Sequence, residues 1–110
     1  MASRSEQFEA LVRQQPDNAL FRFSLAQALV SEARPAEAVV HFEFCIASRS
    51  DWMMPRILLG KTLLQLGRTP ESKALFTEAL RLAVEQQHED PERELRALLA
   101  EIESRPNKSD

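Results

Sequence analysis

Apolar residues in this chain recur at intervals of three and four rather than two, so its regular structure reads as helix throughout. Phe8, Leu11 and Val12 mark a first helix, opened by Ser3 with Glu6 three residues later, a reciprocal N-terminal capping pattern. Pro16-Asp17-Asn18 closes it and supplies the N-cap of a second helix over about 18–32, with Phe21, Leu25, Ala28 and Leu29 turned to a partner. Arg34-Pro35 makes the next turn, because a proline disfavours helix in the residue before it and is welcome in a first turn. A third helix over about 35–48 carries Ala38, Val39, Phe42, Cys45 and Ile46. Asp51 is positioned to cap a fourth, with Pro55 in its first turn, apolar residues at Ile57, Leu58, Leu59, Leu63, Leu64 and Leu66, and Gly67 where a left-handed C-cap is expected. Thr69-Pro70-Glu71 reads as a restart: a cap, a proline at the first helical position, and an acid near the positive end of the helix dipole. A fifth helix follows to about residue 87. A sixth, over 90–104, gathers Leu95, Leu98, Leu99 and Ile102 on one side and Arg93, Arg96, Glu101 and Glu103 on the other.

The pattern also repeats over a longer distance. Adding 34 to Leu25-Ala26, Leu29, Ala38, Phe42 and Cys45-Ile46 gives Leu59-Gly60, Leu63, Ser72, Phe76 and Ala79-Leu80. Small residues fall on small ones and large apolar residues on large ones. Subtracting 34 from Phe42, Cys45, Ile46 and Ser50 lands on Phe8, Leu11, Val12 and Pro16, so the first helix reads as the second half of a repeat. After the fifth helix the offset becomes 36, with Pro55, Leu59, Leu63 and Leu66 mapping onto Pro91, Leu95, Leu99 and Ile102. The two extra residues are expected in the connection His88-Glu89-Asp90. The small Gly60 position becomes Arg96, as expected of a capping helix against which no further helix packs.

A 34-residue period with this order of sizes resembles the tetratricopeptide repeat, a helix–turn–helix unit of that length. Leu25, Leu59, Gly60, Ala38, Phe42, Phe76 and Ala79 match the family's pattern, and Pro16-Asp17 matches its closing motif. The family's tryptophan position holds Arg22 and Arg56, its large aromatic position Leu29 and Leu63, and its closing proline is replaced by Ser50 and Val84. The resemblance implies an all-α fold, a right-handed superhelical stack of antiparallel helix hairpins with about six helices. The expected organisation is one domain over 1–104: a half-repeat at 1–16, repeats at 19–52 and 53–86, a capping helix at 90–104, and a tail at 105–110 with no apolar anchor. Such repeats cannot bury their faces singly and need about three to be stable.

Composition narrows the functional classes. The chain has 110 residues and a formal charge of −3, too mild and too scattered for a nucleic-acid footprint. Its single cysteine suits a reducing compartment, no apolar run reaches the length of a membrane span, and the start lacks a signal-peptide core. A cytoplasmic protein is the expectation, without membrane or nucleic-acid partners. No glycine-rich phosphate loop, paired carboxylates or nucleophile–base pair stands out, so neither an enzyme nor a cofactor is expected. His41 and His88 lack metal-ligand spacing, and Cys45 falls at a packing position.

In the family, the first helices of successive repeats line a concave groove that takes peptides or helices of partner proteins. The matching positions here are Leu20, Phe23, Gln27, Val30 and Ser31, then Met54, Ile57, Lys61, Leu64 and Gln65. Paired across the repeats, they form two strips reading apolar, apolar, polar, apolar, suited to an amphipathic helix or an extended apolar segment. Two readings of Ile57 and Leu64 stay open: part of the groove, or core beneath the C-terminal helix. Leu20 and Phe23 are the better candidates for exposure. Some members of the family clamp acidic chaperone tails at these positions. Phe23, Gln27 and Ile57 leave Lys61 alone to neutralise a carboxylate, so that ligand is not expected. Arg22/Arg56 and Arg34/Arg68 also recur at 34, as a basic edge or, preferably, as groups paired with Glu32, Glu37 and Glu71. Trp52 is a packing residue or a partner anchor, packing being preferred. The functional expectation is a protein-interaction adaptor, monomeric or weakly dimeric; the alternative is a self-associating structural module with the groove or an end face buried in a homodimer.

Overall fold

In a computed structural model the described residues are 2–105, and the expected tail lies, beyond Arg105, outside them. They form six helices and no strand: α1 Arg4–Gln14, α2 Ala19–Ser31, α3 Pro35–Ser48, α4 Met53–Gln65, α5 Thr69–Glu85 and α6 Glu89–Ser104. Ser3 and Glu6 close the capping box of α1, and the Asn18 side chain accepts from the Phe21 N–H at 3.1 Å to start α2.

The connections are of two kinds. The links 32–34, 66–68 and 86–88 each place one residue in the left-handed region: Ala33 (φ 62°), Gly67 (φ 81°) and Gln87 (φ 59°). Each is followed by an N–H that reaches five residues back, Arg34 to Leu29 O, Arg68 to Leu63 O and His88 to Ala83 O, at 2.8–2.9 Å. These bonds satisfy the orphan carbonyls of the preceding helix and reverse the chain sharply. The links 15–18 and 49–52 are longer and are clipped from the following helix. Arg22 Nε donates to the Pro16 carbonyl at 2.8 Å, and Arg56 Nη1 to the Ser50 carbonyl at 2.7 Å, two bonds 34 residues apart.

Three sequence expectations are corrected here. The α4 N-cap is Trp52, without a side-chain bond, so Asp51 is not the cap; the Asp51 carbonyl accepts from Gln86 Nε2 at 2.9 Å. Thr69 is the first residue of α5 and not its cap, because Arg68 both closes the preceding turn and opens the helix. The extra length near the C-terminus lies in α5, with 17 residues against 14 in α3, and not in the connection. That connection is the tight left-handed turn used inside each hairpin, so α6 folds back on α5 as a third hairpin.

The core forms two clusters in series. Leu25, Leu29, Val39, Phe42, Leu59 and Leu63 make the first; Met53, Ile57, Phe76, Leu82, Leu95 and Ile102 make the second. Phe42 and Phe76, 1% and 0% exposed, occupy matching places in each. Phe76 explains Gly60: a Cβ there would lie 2.5 Å from its ring. Buried Ser72 ties the same pair of helices, its Oγ donating to the Gly60 carbonyl at 2.6 Å. The Cα radius of gyration is 14.8 Å. A compact domain of this length has about 13 Å; the difference is that of a flattened stack, 43 × 34 × 21 Å along its principal axes.

Candidate protein-binding groove

Residues 34 apart bring α2 and α4 side by side with the same face forward. Between them lies a hollow of about 270 Å³, floored by Val30, Phe42 and Leu58 and rimmed by Gln27, Lys61 and Gln65. Ser31 and Thr62 also border it, but their hydroxyls donate to their own helices, to the Ala28 carbonyl at 3.0 Å and the Leu58 carbonyl at 2.7 Å. The exposed amides of Gln27 and Gln65 remain for a ligand. Lys61 is the hollow's one charged lining residue, and its Nζ lies 3.0 Å from Glu94 Oε2 on α6. The hollow is therefore apolar at its floor and close to neutral at its rim.

The remaining groove candidates divide. Leu20 and Met54 are exposed, at 59% and 44%, at matching points in the first turns of α2 and α4. Phe23, a preferred candidate for exposure, is only half-exposed: its ring centroid lies 4.8 Å from that of Trp52 and 6.1 Å from that of Phe42. Leu64 is half-buried against the second core cluster. Ile57 is 2% exposed within that cluster, beside Leu95 and Ile102 of α6, and is core rather than groove lining. Leu58 was not among the sequence candidates. It lies one residue from the strip, and only the burial of Ile57 brings it forward.

The repeated arginines also divide. Arg34 pairs with Glu37 at 2.7 Å and Arg68 with Glu71 at 2.6 Å, and these guanidinium bonds hold both carboxyls below their ordinary value. Arg22 stacks 4.3 Å above the Phe44 ring and reaches His41 Nδ1 at 3.4 Å. Burial, then the Arg22 charge, lowers the His41 pKa. Cys45 is fully buried, its thiol donates to the Ala19 carbonyl at 3.3 Å, and burial pushes its pKa to about 11. A thiol held protonated in this way is a poor nucleophile. No helix of the described residues is long and apolar enough to cross a membrane.

Solved structures share this architecture. The translocator chaperone SycD of the Yersinia enterocolitica type III secretion system matches 90% of this chain and 69% of its own, at 17% identity and a TM-score of 0.81. PcrH, solved in complex with the chaperone-binding region of PopD, matches 94% of this chain and 78% of its own, at 20% identity and a TM-score of 0.85. No protein-family model matches the chain, and no curated protein matches it significantly in sequence. The fold is thus the all-helical, tetratricopeptide-like stack of these chaperones.

Proposed function

We propose that this chain is a protein-interaction adaptor without catalytic activity, which holds a segment of a partner protein in the groove between α2 and α4. The observation that carries the reading is the repetition of an exposed apolar residue, Leu20 and Met54, at the head of an apolar-floored hollow with free side-chain amides at its rim. Apolar anchors seated in a groove, with polar groups fixing register, are a common mode of peptide recognition. The structural neighbours support the same class: they are chaperones, and PcrH is bound to a segment of PopD. The partner segment lies along Leu20, Phe23, Gln27 and Val30 on one side and Met54, Lys61 and Leu64 on the other. Ile57 acts from beneath, as the support of Leu58 and Leu64.

Affinity capture from native extract tests this. The wild-type chain is expected to retain a defined partner that Leu20→Glu and Met54→Glu both lose, with helical content unchanged by circular dichroism. Both side chains are exposed, so neither substitution opens the core. Retention of the same partner by both variants would refute the groove as the site.

A further inference from the structure

A larger hollow lies beyond the head of the groove, and it differs in chemistry. It encloses about 520 Å³ where the 49–52 connection meets the α5–α6 turn, and Trp52, Met53, Met54 and Pro91 give it apolar walls. Gln86 and Asp51 also line it, and the bond from Gln86 Nε2 to the Asp51 carbonyl, 2.9 Å, ties the two connections together. Met53 is buried and fixed, whereas Met54 is exposed and belongs to the groove strip as well. Trp52 is held from one side by Phe23 and carries the Arg49 guanidinium 5.1 Å from its ring centroid.

Arg49 is the one arginine that lines the hollow, and like Arg4, Arg13, Arg22 and Arg56 it forms no ion pair among the described residues. Arg34, Arg68, Arg81, Arg93, Arg96 and Arg105 each have a carboxylate partner. Arg49 has none among the described residues, although Asp51 is two positions away. Its head is steered over the indole and toward the hollow, where a cation gains most from a carboxylate that arrives with an apolar group. Asp51 is the one carboxylate that lines the hollow, and Glu89 and Asp90 in the first turn of α6 adjoin its lining residues His88 and Pro91. A bound acid is thus attracted by Arg49 and repelled by these carboxylates.

We infer that this hollow is a second recognition site, which takes a large apolar side chain of a partner protein followed directly by an acidic residue. The apolar group lies on Trp52 and Met54, and the carboxylate pairs with Arg49. The inference rests on the adaptor reading and extends the groove past the start of α4, giving the bound segment a direction.

Trp52 is the chain's only tryptophan, so its fluorescence reports occupancy directly. The probes are two capped pentapeptides, one with phenylalanine followed by aspartate and one with lysine in place of the aspartate. The aspartate peptide is expected to give a saturable change and to bind about tenfold more tightly than the lysine peptide, the worth of one charge-assisted contact. Arg49→Glu, at an exposed position, should reverse the preference. Equal binding of the two peptides, an unchanged preference in Arg49→Glu, or no saturable change with either peptide would overturn the inference. Loss of the captured partner in Leu20→Glu together with a silent Trp52 leaves the groove standing and removes this site. A charge-selective Trp52 response with capture indifferent to Leu20→Glu removes the groove and keeps it.

Discussion

Three left-handed turn residues do the same work with unequal chemistry. Gly67 adopts its positive φ without steric cost, whereas Ala33 and Gln87 hold the same conformation against a Cβ. A left-handed L-residue costs about 1–2 kcal/mol, and glycine gives back about 0.5–1 kcal/mol through its freer unfolded chain. Ala33→Gly and Gln87→Gly should therefore each stabilise the fold by about 0.5–1 kcal/mol, read as a higher urea midpoint at unchanged slope. A lower midpoint would mean that these turns are not the strained points of the chain. Arg22 and Arg56 show the opposite economy. At a position where the resembling family places tryptophan, each replaces apolar packing with a bond to the preceding connection, and the connection stays closed.

Helix α1 is held differently from the other five. Its only fully buried residue is Ser5, whose N–H and Oγ donate to the two oxygens of Glu32, at 3.0 and 2.6 Å, from the end of α2. Phe8 and Val12 add apolar contact with the first core cluster. The Ser5 bonds hold the Glu32 carboxyl below its ordinary value of 4.5. Their contribution is complete above that value and is lost as pH falls through the lowered one, when the protonated acid stops accepting both bonds. Hydrogen exchange should thus show α1 losing protection on acidification before α3 and α4 do, and Glu32→Gln should loosen α1 already at neutral pH. Uniform loss of protection across the helices would contradict this attachment. The helices themselves, the Ser3 and Asn18 caps and the Gly67 turn were readable in the sequence because each is a local pattern. The expected caps at Asp51 and Thr69 failed because Trp52 and Arg68 take the capping positions. The fate of Ile57 was not readable, since it depends on where α6 lies, and the offset to 36 shows that the pattern shifts without showing that α6 closes a hairpin. The hollow beside Trp52 was least legible: it joins residues 49–54 to residues 86–91, and only the folded chain brings those segments together.

The molecule as a whole is two core clusters in series, sealed by α1 at one end and α6 at the other. Neighbouring helices make nearly all of its contacts, as in stacked repeats generally. Stacking with a constant offset leaves corresponding faces aligned, which puts Leu20 beside the position that Met54 takes one repeat later. On the reading proposed here that alignment is the function, and the ion pair between Lys61 and Glu94 fixes α6 beside the groove without filling it. The same geometry provides an internal control: Val40 on α3, 59% exposed, is as accessible as Leu20 but lies outside the groove strip. The most direct measurement is photo-crosslinking in native cells with a benzophenone side chain placed in turn at positions 20, 54 and 40. The account predicts adducts to one and the same partner protein from positions 20 and 54 and none from 40; adducts from 40 alone, or adducts from 20 and 54 only to a second copy of this chain, would contradict it.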